Sequence, residues 1–301
     1  MKIYKPKFWA KKNSFISISL MPISIFFKVF IFFKKKFTKT LRFKIPIICV
    51  GNIYLGGTGK TPVSILISNE INKKNIKPVI IKKFYKNHTD EHSLIKDKLV
   101  DLIIDTDRSA AIKKAEKENF DLAILDDGLQ EYKIQKDLRI ICFNENQLIG
   151  NGRLLPSGPL REDISSIKDA EVVIINGKKN IKFENKLLKF NNKLEIYYSQ
   201  YKPRNLNEFD GKQLLALAGI GNPENFFKLL TDNKMNIVKK IEFPDHYNFS
   251  KHEIQNILDI AKQNNLKTIC TEKDYQRIKD YNFEDISYLQ IDLLIENKEK
   301  L

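Results

Sequence analysis

Cysteine is scarce in this 301-residue chain, and Cys49, Cys142 and Cys270 include no CxxC pair. Neither a disulfide framework nor a cysteine zinc site is therefore suggested. Each cysteine lies in a short strand-like run (Ile-Ile-Cys-Val, Ile-Ile-Cys-Phe, Thr-Ile-Cys-Thr), as expected of buried thiols in a reducing compartment. Acidic residues are missing altogether from residues 1–45, which carry twelve Lys or Arg. The formal charge of +15 is concentrated there, and the other 256 residues carry only +3. Basic arms that bind nucleic acid are usually polar. Residues 14–33 are instead mostly Phe, Ile, Leu, Met and Val, so no nucleic-acid partner is expected, nor does any obligate protein partner stand out. No small-residue cleavage site follows, which argues against a signal peptide.

That apolar segment is about the twenty residues needed to cross a hydrocarbon core. Lys28 near its middle would cost a few kcal/mol there, and basic flanks on both sides give no orientation. A helix lying in the interface fits better, with aromatic rings at the acyl boundary and lysines at anionic headgroups. The remainder, in a chain 42% apolar and 30% charged, reads as globular protein.

After Pro46 short Ile- and Val-rich runs alternate with amphipathic stretches. Strands are expected at 47–50, 79–81, 102–104, 122–125, 139–143 and 172–175, with helices at 62–73, 108–118 and 164–169. The alternation predicts a parallel α/β sheet with right-handed crossovers. A polar stretch, 177–212, reads as a domain junction, with a linking strand pair around 194–198. Beyond it the rhythm resumes, with strands at 214–218, 237–243, 268–270 and 287–291 and helices at 224–230, 251–263 and 273–279. The expected organisation is a membrane-associating segment over 1–45, a P-loop-type domain over 46–200 and a smaller α/β domain over 201–301.

Chemistry is concentrated in Val50-Gly-Asn-Ile-Tyr-Leu-Gly-Gly-Thr-Gly-Lys-Thr-Pro62. An apolar strand enters a glycine-dense turn and a helix pattern follows, which is how backbone N–H groups and a helix N-terminus are aimed at phosphates. Residues Tyr54, Leu55, Gly56, Gly57, Thr58, Gly59, Lys60 and Thr61 form the expected nucleotide loop. Lys60 would reach the β and γ phosphates, and the Thr61 hydroxyl would bind Mg²⁺. Tyr54 stands where the strict GxxxxGK[ST] pattern has glycine. In Asp121-Leu-Ala-Ile-Leu-Asp-Asp-Gly-Leu-Gln130 an apolar strand ends in Asp126 and Asp127, which places two carboxylates at a ligand-binding sheet edge as further Mg²⁺ candidates. Arg153 and Arg161, in the Gly- and Pro-rich stretch 151–162, are candidates for acidic sugar phosphates. Gly219-Ile-Gly221 is an incomplete dinucleotide fingerprint, explained by Asn222 as N-cap and Pro223 at the first helical position.

Taken together these segments resemble the tetraacyldisaccharide 4'-kinases of lipid A biosynthesis. The resemblance covers nearly the whole chain, including the basic apolar N-terminus, the glycine-rich loop and Asp126-Asp-Gly-Leu-Gln130. It extends through Asn151-Gly-Arg-Leu-Leu-Pro-Ser-Gly-Pro-Leu-Arg-Glu162, Ala218-Gly-Ile-Gly-Asn-Pro223, Phe243-Pro-Asp-His246 and Thr271-Glu-Lys-Asp274. It implies ATP and Mg²⁺ as cofactors and a lipid disaccharide 1-phosphate as acceptor. The implied location is peripheral or monotopic, at the anionic cytoplasmic face of the inner membrane. It also implies Asp90 and His246 as the groups that activate the sugar hydroxyl, and Glu91 as a substrate contact. The chain departs from the family at Lys82-Lys83-Phe84-Tyr85-Lys86, where Ser-Arg-Gly-Tyr-Gly is usual, at Glu131, and at Tyr247. A rival reading is a membrane-bound P-loop ATPase that acts as a positioning or targeting switch and needs no such base.

Overall fold

The computed structural model describes residues 6–85, 95, 97–245 and 247–300. The chain forms two compact units. The larger comprises residues 6–84, 99–200 and 295–300, and the smaller is built on Tyr201–Leu294 and includes Ile95, Asp97 and Lys98.

The larger unit carries β1 (Ile47–Gly51), β2 (Pro78–Lys83), β3 (Leu102–Asp105), β4 (Leu122–Asp126), β5 (Leu138–Asn144), β6 (Val172–Asn176) and β7 (Glu195–Pro203). They lie in the order β7-β6-β5-β1-β4-β2-β3, all in parallel. Burial on both faces explains the unbroken Ile/Val/Leu runs: Ile80, Ile81, Ile124, Leu125, Ile140 and Ile141 are all inaccessible or nearly so. Strand β1 lies between β4 and β5, so the turn after it opens where the connections diverge to opposite sides of the sheet. That is the crevice at which open α/β sheets bind ligands.

The parallel α/β architecture is the one expected, with three local corrections. Residues 164–169 form a 3₁₀ turn rather than an α-helix, started by the Asp163 side chain accepting from the Ser165 amide at 2.9 Å. The polar stretch 177–212 contains a helix, Ile181–Leu188, whose N-cap Asn180 accepts from the Phe183 amide at 3.0 Å. Instead of a linking pair, β7 is one strand added in parallel to β6, since Tyr197 and Tyr198 are buried against the core and not paired locally.

At the N-terminus, α1 (Phe15–Ser19) and α2 (Met21–Phe37) invert the usual amphipathic order. The buried side chains of these helices are serines, Ser17 and Ser24, whereas Phe15 is 84% and Phe26 76% exposed. No helix among the described residues is long and apolar enough to cross a membrane. The serines fasten the helices to the stretch 151–162. The Ser17 hydroxyl donates to the Ser157 carbonyl at 2.6 Å, and the Ser24 hydroxyl donates to the Leu154 carbonyl at 2.9 Å.

The smaller unit has its own parallel sheet, in the order β11-β10-β8-β9, of β8 (Gln213–Ala218), β9 (Asn236–Glu242), β10 (Lys267–Thr271) and β11 (Ile286–Leu289). Helices Pro223–Asp232 and Lys251–Gln263 connect them, the latter started by a reciprocal Ser250–Glu253 capping box. Asn222 holds the N-cap position before Pro223 but makes no capping side-chain bond; its amide donates to Asn225 Oδ1 at 3.0 Å.

Candidate active site

The site is assembled at the carboxyl ends of β1, β4 and β2. A Cβ placed on Gly51 would lie 2.6 Å from Leu129 Cβ, so β1 must end in glycine for the turn beyond β4 to pack against it. The loop then depends on Asn52, which is fully buried. Its side-chain amide donates to the Gly56 carbonyl at 3.1 Å and to Thr58 Oγ1 at 2.8 Å, pinning the loop from inside. Gly56 (φ 121°) and Gly59 (φ 88°) take up backbone that residues with a side chain rarely adopt. Gly59 caps α3 (Lys60–Asn72), whose first turn presents Lys60 and Thr61.

Tyr54 is accommodated because its position is not a tight turn. It forms an antiparallel bridge with Leu160, the Leu55 amide donates to the Pro159 carbonyl at 2.9 Å, and the ring is buried. Extended backbone of this kind accepts any residue, so the glycine of the strict pattern is not needed.

Asp126 ends β4 with no accessible surface. Its Oδ2 accepts from the Thr61 hydroxyl at 2.9 Å and from Lys82 Nζ at 2.5 Å, and its Oδ1 accepts from the Ser64 hydroxyl at 3.3 Å. Asp127 follows with φ +56°, held by its amide donating to the Val50 carbonyl at 2.9 Å. Arg108, buried at the start of its helix Arg108–Lys117, donates to the carbonyls of both aspartates at 3.1 and 3.0 Å and so fixes the turn. Arg161 grips the Asp127 carboxylate with both terminal nitrogens, at 2.7 and 3.2 Å, and also donates to the Asn52 side-chain and backbone oxygens. Lys60 Nζ stands 3.9 Å from the same carboxylate. Burial alone would push the Asp127 carboxyl up; the charges of Lys60 and Arg161, the Arg161 hydrogen bonds and Lys82 outweigh it and hold the group well below the usual carboxylate range.

Of the residues singled out in the sequence, 54–61, Asp126, Asp127 and Arg161 are thus brought to one place. Arg153 is held elsewhere, donating to the Ser17 hydroxyl at 2.8 Å. Asp90, Glu91 and His246 lie outside the described residues. Sequence reasoning missed Asn52, Lys82 and Arg108 as members of the cluster. For Lys82 a signal existed: a lysine directly after three inaccessible strand residues, at the ligand-binding edge of a sheet, must meet an anion there. Arg108 gave none, being one of several cations in an ordinary helix pattern.

Thr61 and Asp126 together offer oxygen atoms alone, which suits a hard cation. Among the described residues no cluster of three or more His, Cys, Asp and Glu could hold a metal. A magnesium ion here would therefore use one or two protein oxygens, with phosphate and water completing its shell.

Comparison with known proteins gives the chain a family. The family model described as tetraacyldisaccharide-1-P 4'-kinase matches residues 16–301. A protein named tetraacyldisaccharide 4'-kinase from Pelagibacter ubique is 44% identical over 305 residues, covering 100% of this chain and 96% of the relative. One of the same name from Rickettsia akari is 32% identical over 317 residues, again covering 100% and 96%. Among solved structures, LpxK from Aquifex aeolicus in complex with ATP superposes with a TM-score of 0.73 at 23% identity, covering 95% of this chain and 96% of that one, a likeness of fold. With most of its length matched by the family and by full-length relatives, the chain belongs to the tetraacyldisaccharide 4'-kinase family.

Proposed function

We propose that the chain is an ATP-dependent kinase that transfers the γ-phosphoryl group to the 4'-hydroxyl of a tetraacyl disaccharide 1-phosphate, in the biosynthesis of lipid A. The observation that carries this reading is the meeting of Lys60, Thr61, Lys82 and Arg161 around Asp126 and Asp127, at a glycine-rich turn opening α3. Phosphoryl transfer needs little covalent help from protein; it needs positioning and compensation of charge. The loop amides and Lys60 would hold the triphosphate, and Thr61 with Asp126 would hold Mg²⁺, which would supply charge neutralisation at the phosphates. Arg161, fixed by Asp127 and Asn52, presents its guanidinium to the same space. Asp90 and His246 activate the sugar hydroxyl, an assignment that rests on the family resemblance.

The acceptor is a lipid, and the inverted N-terminal helices support docking at a membrane surface. Phe15, Phe26, Phe30 and Phe37 are exposed, with Lys34 and Lys36 near the end of α2, whereas Lys28 and Lys35 are paired with Asp163 and Glu162. A phenylalanine fully removed from water contributes about 2 kcal/mol, and each lysine near an anionic surface about 1 kcal/mol. The enzyme accordingly sits on the cytoplasmic face of the inner membrane.

Incubating the protein with γ-labelled ATP and the disaccharide lipid in mixed micelles, then separating the lipid fraction, tests the activity directly. Label is expected at the 4' position, and it should vanish in Asp90→Ala. Vesicle-stimulated ATP hydrolysis with no labelled lipid would overturn the kinase reading in favour of a membrane-bound positioning ATPase. Flotation with anionic vesicles tests the docking: F26E together with F30E should remain in the soluble fraction, and flotation equal to wild type would refute it.

A further inference from the structure

The nucleotide reading places Lys82 in the cluster but assigns it no contact with nucleotide or metal, and the inference about it rests on that reading. Lys82 closes β2 with a side chain only 6% exposed, its ammonium 2.5 Å from the Oδ2 of the inaccessible Asp126. That same oxygen takes the Thr61 hydroxyl at 2.9 Å. The two protein groups suited to a divalent ion are therefore bonded to each other, and the oxygen they share already carries a fixed positive charge. The neighbouring cations are engaged otherwise: Arg108 on the carbonyls of Asp126 and Asp127, Arg161 and Lys60 on the Asp127 carboxylate.

We propose that Lys82 is a resident counter-cation of this site, making ATP capture only weakly dependent on the metal and keeping divalent ions from settling on Asp126 before nucleotide arrives. The physical reason is charge balance in a place shielded from water. An isolated buried carboxylate attracts a divalent cation strongly, whereas a carboxylate already neutralised by an ammonium does not. For the triphosphate the effect is opposite. Among the described residues Lys82 adds a third cation to Lys60 and Arg161 around Asp126 and Asp127, so the metal-free polyanion meets less negative charge with Lys82 present than without it. With Lys82 removed, Asp126 would repel the metal-free nucleotide and hold the metal instead.

The test compares wild type, Lys82→Ser and Lys82→Arg by two readouts that need no turnover. Calorimetric titration with ATP is run in excess EDTA and in excess Mg²⁺. Separately, Mn²⁺ is titrated into nucleotide-free protein and free Mn²⁺ is read by electron paramagnetic resonance. Removing the metal should weaken ATP binding no more than about tenfold in wild type and Lys82→Arg, and about a hundredfold or more in Lys82→Ser. Nucleotide-free Lys82→Ser should bind Mn²⁺, and the other two should not. Equal ratios of affinity in EDTA and Mg²⁺ for wild type and Lys82→Ser would overturn the proposal. Should Lys82→Ser fail to fold, the wild type decides alone: Mn²⁺ bound without nucleotide, or ATP binding abolished by EDTA, refutes it. Absence of ATP binding even with Mg²⁺ would instead bring down the nucleotide site itself.

Discussion

Each unit ends a central parallel strand in a region bearing an aspartate paired with cations, yet the two aspartates are treated differently. In the smaller unit Asp274, on α8 (Glu272–Ile278) just beyond β10, is wholly inaccessible. It accepts from the Gly219 amide at 2.9 Å, from the Thr271 hydroxyl at 2.6 Å, and from Arg277 at 2.8 Å, while Arg277 also donates to the Gly219 carbonyl. These partners close on one another, binding the end of β8 to the start of α8. In the larger unit Arg161 and Lys60 converge on Asp127, which remains a third exposed. A carboxylate at a sheet edge is therefore weak evidence of a site by itself. Several cations meeting at an accessible glycine-rich turn, beyond what structural pairing needs, are stronger evidence, because they leave positive charge available to a ligand.

The sharpest way to break this comparison is to remove one cation from each cluster. Lys60→Ala should lower phosphoryl transfer at least about a thousandfold, comparable with losing a preorganised electrostatic donor, and should leave the melting temperature nearly unchanged. A steady-state assay with the lipid acceptor paired with a thermal melt checks both halves. If Lys60→Ala instead unfolds the protein, the cation is structural and the contrast disappears.

Next in size is the reverse experiment. Asp274→Ala takes from Arg277, whose side chain is 7% exposed, the carboxylate with which it forms a buried ion pair. Breaking such a pair from one side costs about 3–5 kcal/mol. Urea unfolding should show a loss of that order, while ATP affinity by calorimetry stays at the wild-type value in the folded protein.

Much of this contrast was legible before any coordinates. The glycine-rich turn, Asp126 and Asp127 announce themselves because the physical demand is local: a strand, a tight turn and a helix start within fifteen residues. The short β-branched runs likewise showed most strands to within a residue or two. What stayed hidden depends on distance in the chain. Arg108 reaches the Asp126 and Asp127 carbonyls from eighteen and nineteen residues away, and Lys82 reaches Asp126 from forty-four. The helix Ile181–Leu188 was missed because Lys178, Lys179, Asn180 and Asn191 make its surroundings read as loop. The inverted N-terminus was partly visible: composition showed aromatics and lysines, but not that serines would face the protein.

A smaller effect concerns pH, where the two aspartates should respond with opposite sign. Asp127 has a folded value below its unfolded one, so its pairing stabilises fully above the ordinary carboxylate range and is lost as pH falls through the folded value. Asp274 is shifted the other way: burial raises it, against the opposing pull of Arg277, Thr271 and the Gly219 amide. The folded state then binds its proton more tightly than the unfolded one. Its contribution is therefore greatest below the unfolded value near about 3.9 and declines as pH rises toward the folded value. Urea midpoints measured from pH 4 upward should show this decline in wild type and lose it in Asp274→Asn. An unchanged slope in that variant would assign the decline to another group.

The smallest signal uses the three cysteines as reporters of the two units. Burial pushes the thiol of Cys49 up to about 11 and that of Cys142 up to about 12, and raises Cys270 well above its ordinary value. At pH 8 almost none of any thiol is ionised, and none is accessible, so labelling by a thiol reagent must wait for local opening. Cys49 and Cys142 report the sheet that carries the phosphate loop, and Cys270 reports the strand before Asp274. ATP with Mg²⁺ should slow modification of Cys49 and Cys142, because ligand binding stabilises the unit that contains its site. It should leave Cys270 nearly unaffected if the smaller unit opens independently. Peptide-resolved mass spectrometry of the labelled protein measures all three rates in one experiment. Equal protection of all three would mean that the units open together, and the separation drawn between a ligand-binding and a self-satisfied carboxylate would then hold for chemistry but not for stability.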